Sequence, residues 1–128
     1  MQVCSRVLGG LAVVYTIPCI ARTVFREGTL AADGSEQVVV ADEEKGPLRY
    51  LEGYISLKEL SGSNSVVVRI YVNINGAGYE KYFERTYTGP QPFPILYIAT
   101  KPARYGIKIT LQQTVGLNSF DYQFFRIE

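Results

Sequence analysis

The sequence predicts an all-β fold: a single β-sandwich of about eight antiparallel strands, jelly-roll or immunoglobulin-like, behind an apolar N-terminal segment. Three observations predict it. Apolar and polar residues alternate with a period of two along stretches of strand length. Turns rich in Gly and Pro separate those stretches at fairly regular intervals. No stretch repeats its apolar residues at helical spacing.

The chain opens on its most unusual part. Residues Val7 to Ala21 read VLGGLAVVYTIPCIA, fifteen residues without a charge between Arg6 and Arg22. That is short for a membrane-spanning helix, which needs ~20 apolar residues. It is also close to the apolar core of a secretory signal, ~7–15 residues. Gly9, Gly10 and Pro18 are poor in a helix, whereas Val13, Val14, Tyr15 and Ile17 favour a strand. Extended structure is therefore expected. The chain divides into this segment, 1–21, and a sandwich domain, 22–128. The segment has four candidate fates: an assembly strand, a membrane anchor, a signal or one more strand of the same sheet.

Arg22 to Leu30 is the first candidate strand of the sandwich. Ala32-Asp33-Gly34-Ser35 signals a tight hairpin turn, since Asp-Gly tolerates positive φ. Glu36 to Ala41 follows, then a charged loop, Asp42 to Pro47. Leu48 to Leu57 alternates, with Leu51, Gly53, Ile55 and Leu57 on one face and Tyr50, Glu52 and Tyr54 on the other. Lys58-Glu59-Leu60 suggests one helical turn.

Ser65 to Asn75 is the clearest strand. Val66, Val68, Ile70, Val72 and Ile74 fall on one side, with Val67, Arg69, Tyr71, Asn73 and Asn75 on the other. Gly76-Ala77-Gly78 turns this strand into Tyr79 to Thr88, whose Tyr79, Phe83 and Tyr87 share a face. The prolines of Gly89 to Pro94 remove donors and fix φ, which suits a passage from one sheet to the other. Ile95 to Thr100 resumes. Ile107, Ile109 and Leu111 then alternate with Lys108, Thr110 and Gln112. After the turn at Gly116-Leu117-Asn118, Phe120 to Ile127 closes the chain. It carries large apolar groups on both faces, as does a central strand buried on both sides or a strand with one face covered by a partner.

Composition excludes several chemistries. The chain has 128 residues, 13 basic and 12 acidic, for a net charge of +1. No basic stripe marks a nucleic-acid footprint, so no nucleic-acid partner is expected. His is absent, which removes the commonest general base and metal ligand. No G-x-S-x-G, S-x-x-K, P-loop or dinucleotide fingerprint is present. Asp42, Glu43 and Glu44 form the only acidic cluster and read as a solvated loop. Cys4 and Cys19 have no zinc-like spacing. They read as small apolar residues, and their pairing is left open. No catalytic, cofactor or metal residues are expected.

The stretches EGYISLKEL, VVVRIYVNI, KPARYGIKITLQQT and FDYQFF resemble a group of small β-sandwich proteins found in archaea, bacteriophages and archaeal viruses. The resemblance covers about Arg22 to Phe125 and leaves out Met1 to Ala21. It implies a structural component of a virion or surface, with no catalytic residues to carry over.

Two functions follow as expectations. The first is a non-enzymatic structural protein, such as a capsid, decoration or filament subunit, on a virion or an extracellular surface. It would self-associate as a homo-oligomer or with partner subunits. Its apolar segment would add as a strand to a neighbour's sheet edge, through Leu11, Val13, Tyr15 and Ile17. The second is a secreted or anchored binding module for a glycan or protein ligand. Its aromatic platform would be Tyr50, Tyr54 and Tyr71, provided the strands carrying them pair. The membrane enters either reading only through residues 1–21.

Overall fold

The computed structural model describes residues 3–7, 14–18 and 22–128. Alternation becomes strand wherever turn residues bound it. The strands are β1 (Val3–Val7), β2 (Val14–Pro18), β3 (Arg22–Ala31), β4 (Glu36–Asp42) and β5 (Tyr50–Ser56). They continue with β6 (Ser65–Asn73), β7 (Tyr79–Thr88), β8 (Ile95–Ala99), β9 (Gly106–Val115) and β10 (Ser119–Ile127).

Eight of these strands form two four-stranded antiparallel sheets, ordered β3-β10-β5-β8 and β4-β9-β6-β7. Every connection from β3 to β10 changes sheet except the β6–β7 hairpin. That alternation is the jelly-roll arrangement, and it decides between the two sandwich types expected. Strands β1 and β2 pair with each other as a separate two-stranded sheet, with Tyr15 opposite Arg6 and Ile17 opposite Cys4. Extended structure is thus found in the N-terminal segment. Leu11 and Val13 lie outside the described residues, and so does Cys19.

The inner faces meet in one core. Val66, Val68 and Ile70 of β6 and Ile107, Ile109 and Leu111 of β9 face Leu51 and Ile55 of β5 and Phe120 and Phe124 of β10. The alternation of β6 and β9 delivers these residues to one side. β10 is central, between β3 and β5. Gly53 on β5 allows that closeness, because a Cβ there would collide with the main chain at Gln123 and with Phe124.

Four local expectations are corrected. The Asp33-Gly34 turn joins edge strands of different sheets and makes no hairpin. It is held by Ser35, whose N and Oγ donate to Asp33 Oδ1 at 2.9 and 2.6 Å. Residues 58 and 59 form a turn, closed by Leu60 N donating to Leu57 O, and not a helical turn. Ile74 lies beyond β6 and is exposed. Finally, a bulge opposite Ile70 and Tyr71 inserts one extra residue in β7. It puts Tyr79 on the outer face while Phe83 and Tyr87 pair with inward-facing Ile70 and Val66. The proline loop does carry the chain between sheets, from β7 to β8.

Candidate functional site

Among the described residues the open sandwich leaves four strand edges, and the topology pairs them on two flanks. β3 and β4 end one flank, and β7 and β8 end the other. Unpaired edges offer rows of main-chain donors and acceptors to another chain. β7 is a ten-residue edge strand exposed along most of its length.

At the β7–β8 flank the sheets part into a mouth of about 200 Å³. Its lining includes Phe83 and Tyr87 from β7, Leu96 and Ile98 from β8, and Ile70 below. Ile70 and Ile98 are core residues, so the core reaches the surface here. Tyr82 spans the gap, its hydroxyl accepting from Lys101 N at 2.9 Å. Burial raises the pKa of that phenol.

The opposite flank is polar. Its depression, about 600 Å³, is lined by Phe25, Arg26, Val38 to Glu44 and Arg126. Asp42 was expected in a solvated loop, yet it ends β4 and is buried. Arg49 donates from Nε and Nη2 to its two oxygens at 2.9 and 3.0 Å. The same guanidinium donates to the carbonyls of Arg104, at 2.6 Å, and Glu44. This pair anchors the loop rather than presenting carboxylates to solvent. Among the described residues no three potential metal ligands cluster, and no helix is long and apolar enough to cross a membrane.

The expected platform of Tyr50, Tyr54 and Tyr71 is not assembled. β5 and β6 do not pair but belong to different sheets, so Tyr54 and Tyr71 face away from each other on opposite sides of the sandwich. Tyr71 is engaged in a polar network, its hydroxyl donating to Glu36 Oε2 at 2.5 Å. Thr110 donates to the same oxygen at 2.6 Å, and Lys108 stands over the Tyr71 ring at 4.7 Å. The bond to Glu36, before burial, raises the phenol's pKa. Tyr50 lies opposite Ile127, half-buried.

Tyr54 has a different partner. Tyr97 of β8 stands directly opposite it, ring centroids 5.7 Å apart and planes tilted by 51°. Sequence reading missed Tyr97. The available signal was its place in alternation with Leu96 and Ile98, which turn inward. Of the N-terminal candidates, Tyr15 and Ile17 lie on β2.

No protein-family model matches the chain, and no curated protein matches it. A solved structure described as "Bacillus endospore appendages form a novel family of disulfide-linked pili" is similar, with a TM-score of 0.58 and 14% identity. The match covers 84% of this chain and 85% of that one. At that identity the likeness shows the fold. It supports the β-sandwich part of the sequence resemblance and carries no link to archaea, phages or archaeal viruses.

Proposed function

We propose that the protein is a structural subunit that assembles with copies of itself at a surface, and that it works without catalysis. The observation that carries this reading is the β1–β2 pair, which belongs to neither sheet of the sandwich. A two-stranded sheet alone is marginal in water. Its sequence neighbourhood is apolar and uncharged from Val7 to Ala21. Such a segment is stabilised by adding to another sheet's edge and filling apolar pockets beside it.

The sandwich supplies a receiver. The free edge of β7 borders a mouth whose walls are apolar and aromatic. A segment leading into β3, on one flank, and a receiver at β7, on the other, define a head-to-tail contact. Contacts of that kind propagate into rings or filaments instead of closing as two-fold dimers. The likeness to a pilus protein favours a filament over a capsid or decoration role, and an extracellular surface over a virion.

Exchange of Leu11, Val13, Tyr15 and Ile17 for polar residues tests the mechanism. Filaments or large rings should be visible by negative-stain microscopy for the unaltered chain and lost in the variant. Normal assembly by the variant would refute the strand-addition mechanism. The analogy with disulfide-linked pili extends the proposal to Cys4 and Cys19. Assembled material run without reductant should then show multimers that reductant removes, and a single band in both lanes would remove this part.

A further inference from the structure

We propose that the outer face of the β3-β10-β5-β8 sheet binds a neutral oligosaccharide across Tyr54 and Tyr97. Tyr54 lies on the inner strand β5, away from the edges invoked for assembly, whereas Tyr97 is on edge strand β8 and also lines the mouth beside β7. Tyr54 and Tyr97 are 44% and 54% exposed, on adjacent strands. Two shallow depressions flank Tyr54. One, about 360 Å³, is lined by Ser56, Lys58, Ile95, Asp121 and Gln123 among others, and the second, about 340 Å³, by Val24, Glu52 and Phe125. Tyr54 lines both, so the trough is a pair of depressions that meet at one aromatic ring, and Tyr97 stands opposite that ring on β8 without lining either.

The chemistry around the ring selects the ligand class. A sugar ring has apolar C–H faces and a rim of hydroxyls. The C–H faces suit exposed phenol rings, and the hydroxyls need fixed donors and acceptors at the edges. The trough supplies both, and its polar groups are already held in place. Thr29 donates to Asp121 Oδ1 at 2.7 Å, while Lys58 pairs with Asp121 Oδ2 at 3.4 Å. Gln123 Nε2 donates to Glu27 Oε2 at 2.8 Å. Pre-ordered partners lower the entropy lost on binding. Each carboxylate keeps lone pairs free for a hydroxyl.

Charge argues against the other candidates. Glu27, Glu52 and Asp121 outnumber Lys58 on this face, which disfavours phosphate backbones and acidic glycans. A lipid tail would desolvate the same carboxylates. The outer face of the other sheet offers no equivalent, because Tyr71, Glu36 and Arg69 bond to one another or to Thr110, Glu84 and Gln112.

The test is a glycan microarray probed with the full chain, carrying neutral and acidic oligosaccharides, followed by NMR titration of the strongest neutral hit. The expected result is binding to neutral glycans, weakened about tenfold or more by Tyr54→Ala or Tyr97→Ala. Tyr71→Phe, on the opposite face, should leave it unchanged. Thermal melting checks that each variant folds, and the NMR shifts of the unaltered protein should centre on Tyr54, Tyr97 and Gln123 even where a variant does not. Absence of any neutral hit at about 100 μM protein would overturn the proposal. So would shifts centred elsewhere, or glycan binding indifferent to both substitutions. If the substitutions change only the mass of the assembly, the face is a contact between copies and the proposal fails.

Discussion

Arg49 and Asp42 form a bidentate pair, seven residues apart in sequence, with both side chains almost fully removed from solvent. The pair ties the end of β4 to the start of β5, strands of different sheets. The remaining guanidinium valences go to main-chain carbonyls, including that of Arg104. The strand-to-strand crossover is therefore fixed by one buried cation.

Removing Asp42 leaves the Arg49 guanidinium buried with main-chain carbonyls as its remaining partners, whereas Asp42 itself also has Arg126 at 3.7 Å. Asp42→Ala is expected to cost about 3–5 kcal/mol, as broken buried pairs do. Urea unfolding followed by far-UV circular dichroism checks this. A loss within experimental error would mean that Arg49 reaches solvent or finds other anions, and that the pair is not the anchor.

Gly53 carries a second, steric dependence. Gly53→Ala pushes a Cβ into the β10 main chain and should destabilise by about 1–3 kcal/mol or more. Gly34 makes a contrast. It has φ of +89° but nothing within 4 Å of a Cβ, so Gly34→Ala adds only backbone strain, of about 1 kcal/mol. The ranking of the two by thermal melting separates close approach from conformational strain.

Glu36 makes the outer β4-β9-β6-β7 face acid-sensitive. Burial alone would raise its pKa, but the hydroxyls of Thr110 and Tyr71, with Arg69 nearby, outweigh that and hold it below its ordinary value. A depressed carboxylate contributes stability that is present above its unfolded pKa and lost as pH falls through the folded one. The melting-temperature gap between the unaltered chain and Glu36→Gln should therefore be largest near neutrality and shrink below about pH 4. A gap that does not change with pH would remove Glu36 as a source of acid sensitivity.

Period-two alternation made the strands legible. Val66 to Ile70 and Ile107 to Leu111 reach the core as their spacing implies. The prolines between Gly89 and Pro94 marked a sheet crossing because they cannot extend a ladder. Strand order was not legible, since pairs such as Gly53 with Phe124 join residues far apart in sequence. The bulge in β7 escaped for the same reason: it is defined by its partner strand, and it turned Tyr79 over. Asp42 looked solvated among Glu43 and Glu44 because nothing local says that Arg49 and the Arg104 carbonyl close over it. The aromatic pair was half-legible. Tyr54 was readable as outward-facing, but its partner depends on β5 pairing with β8 and not β6.

The central claim is self-assembly through the N-terminal segment, and solution mass tests it most directly. Light scattering would compare the full chain with a chain beginning at Arg22, the first residue of β3. The account predicts large, regular assemblies for the full chain and a folded monomer for the shorter one. Folded monomers in both cases, or equal assemblies in both, would contradict it.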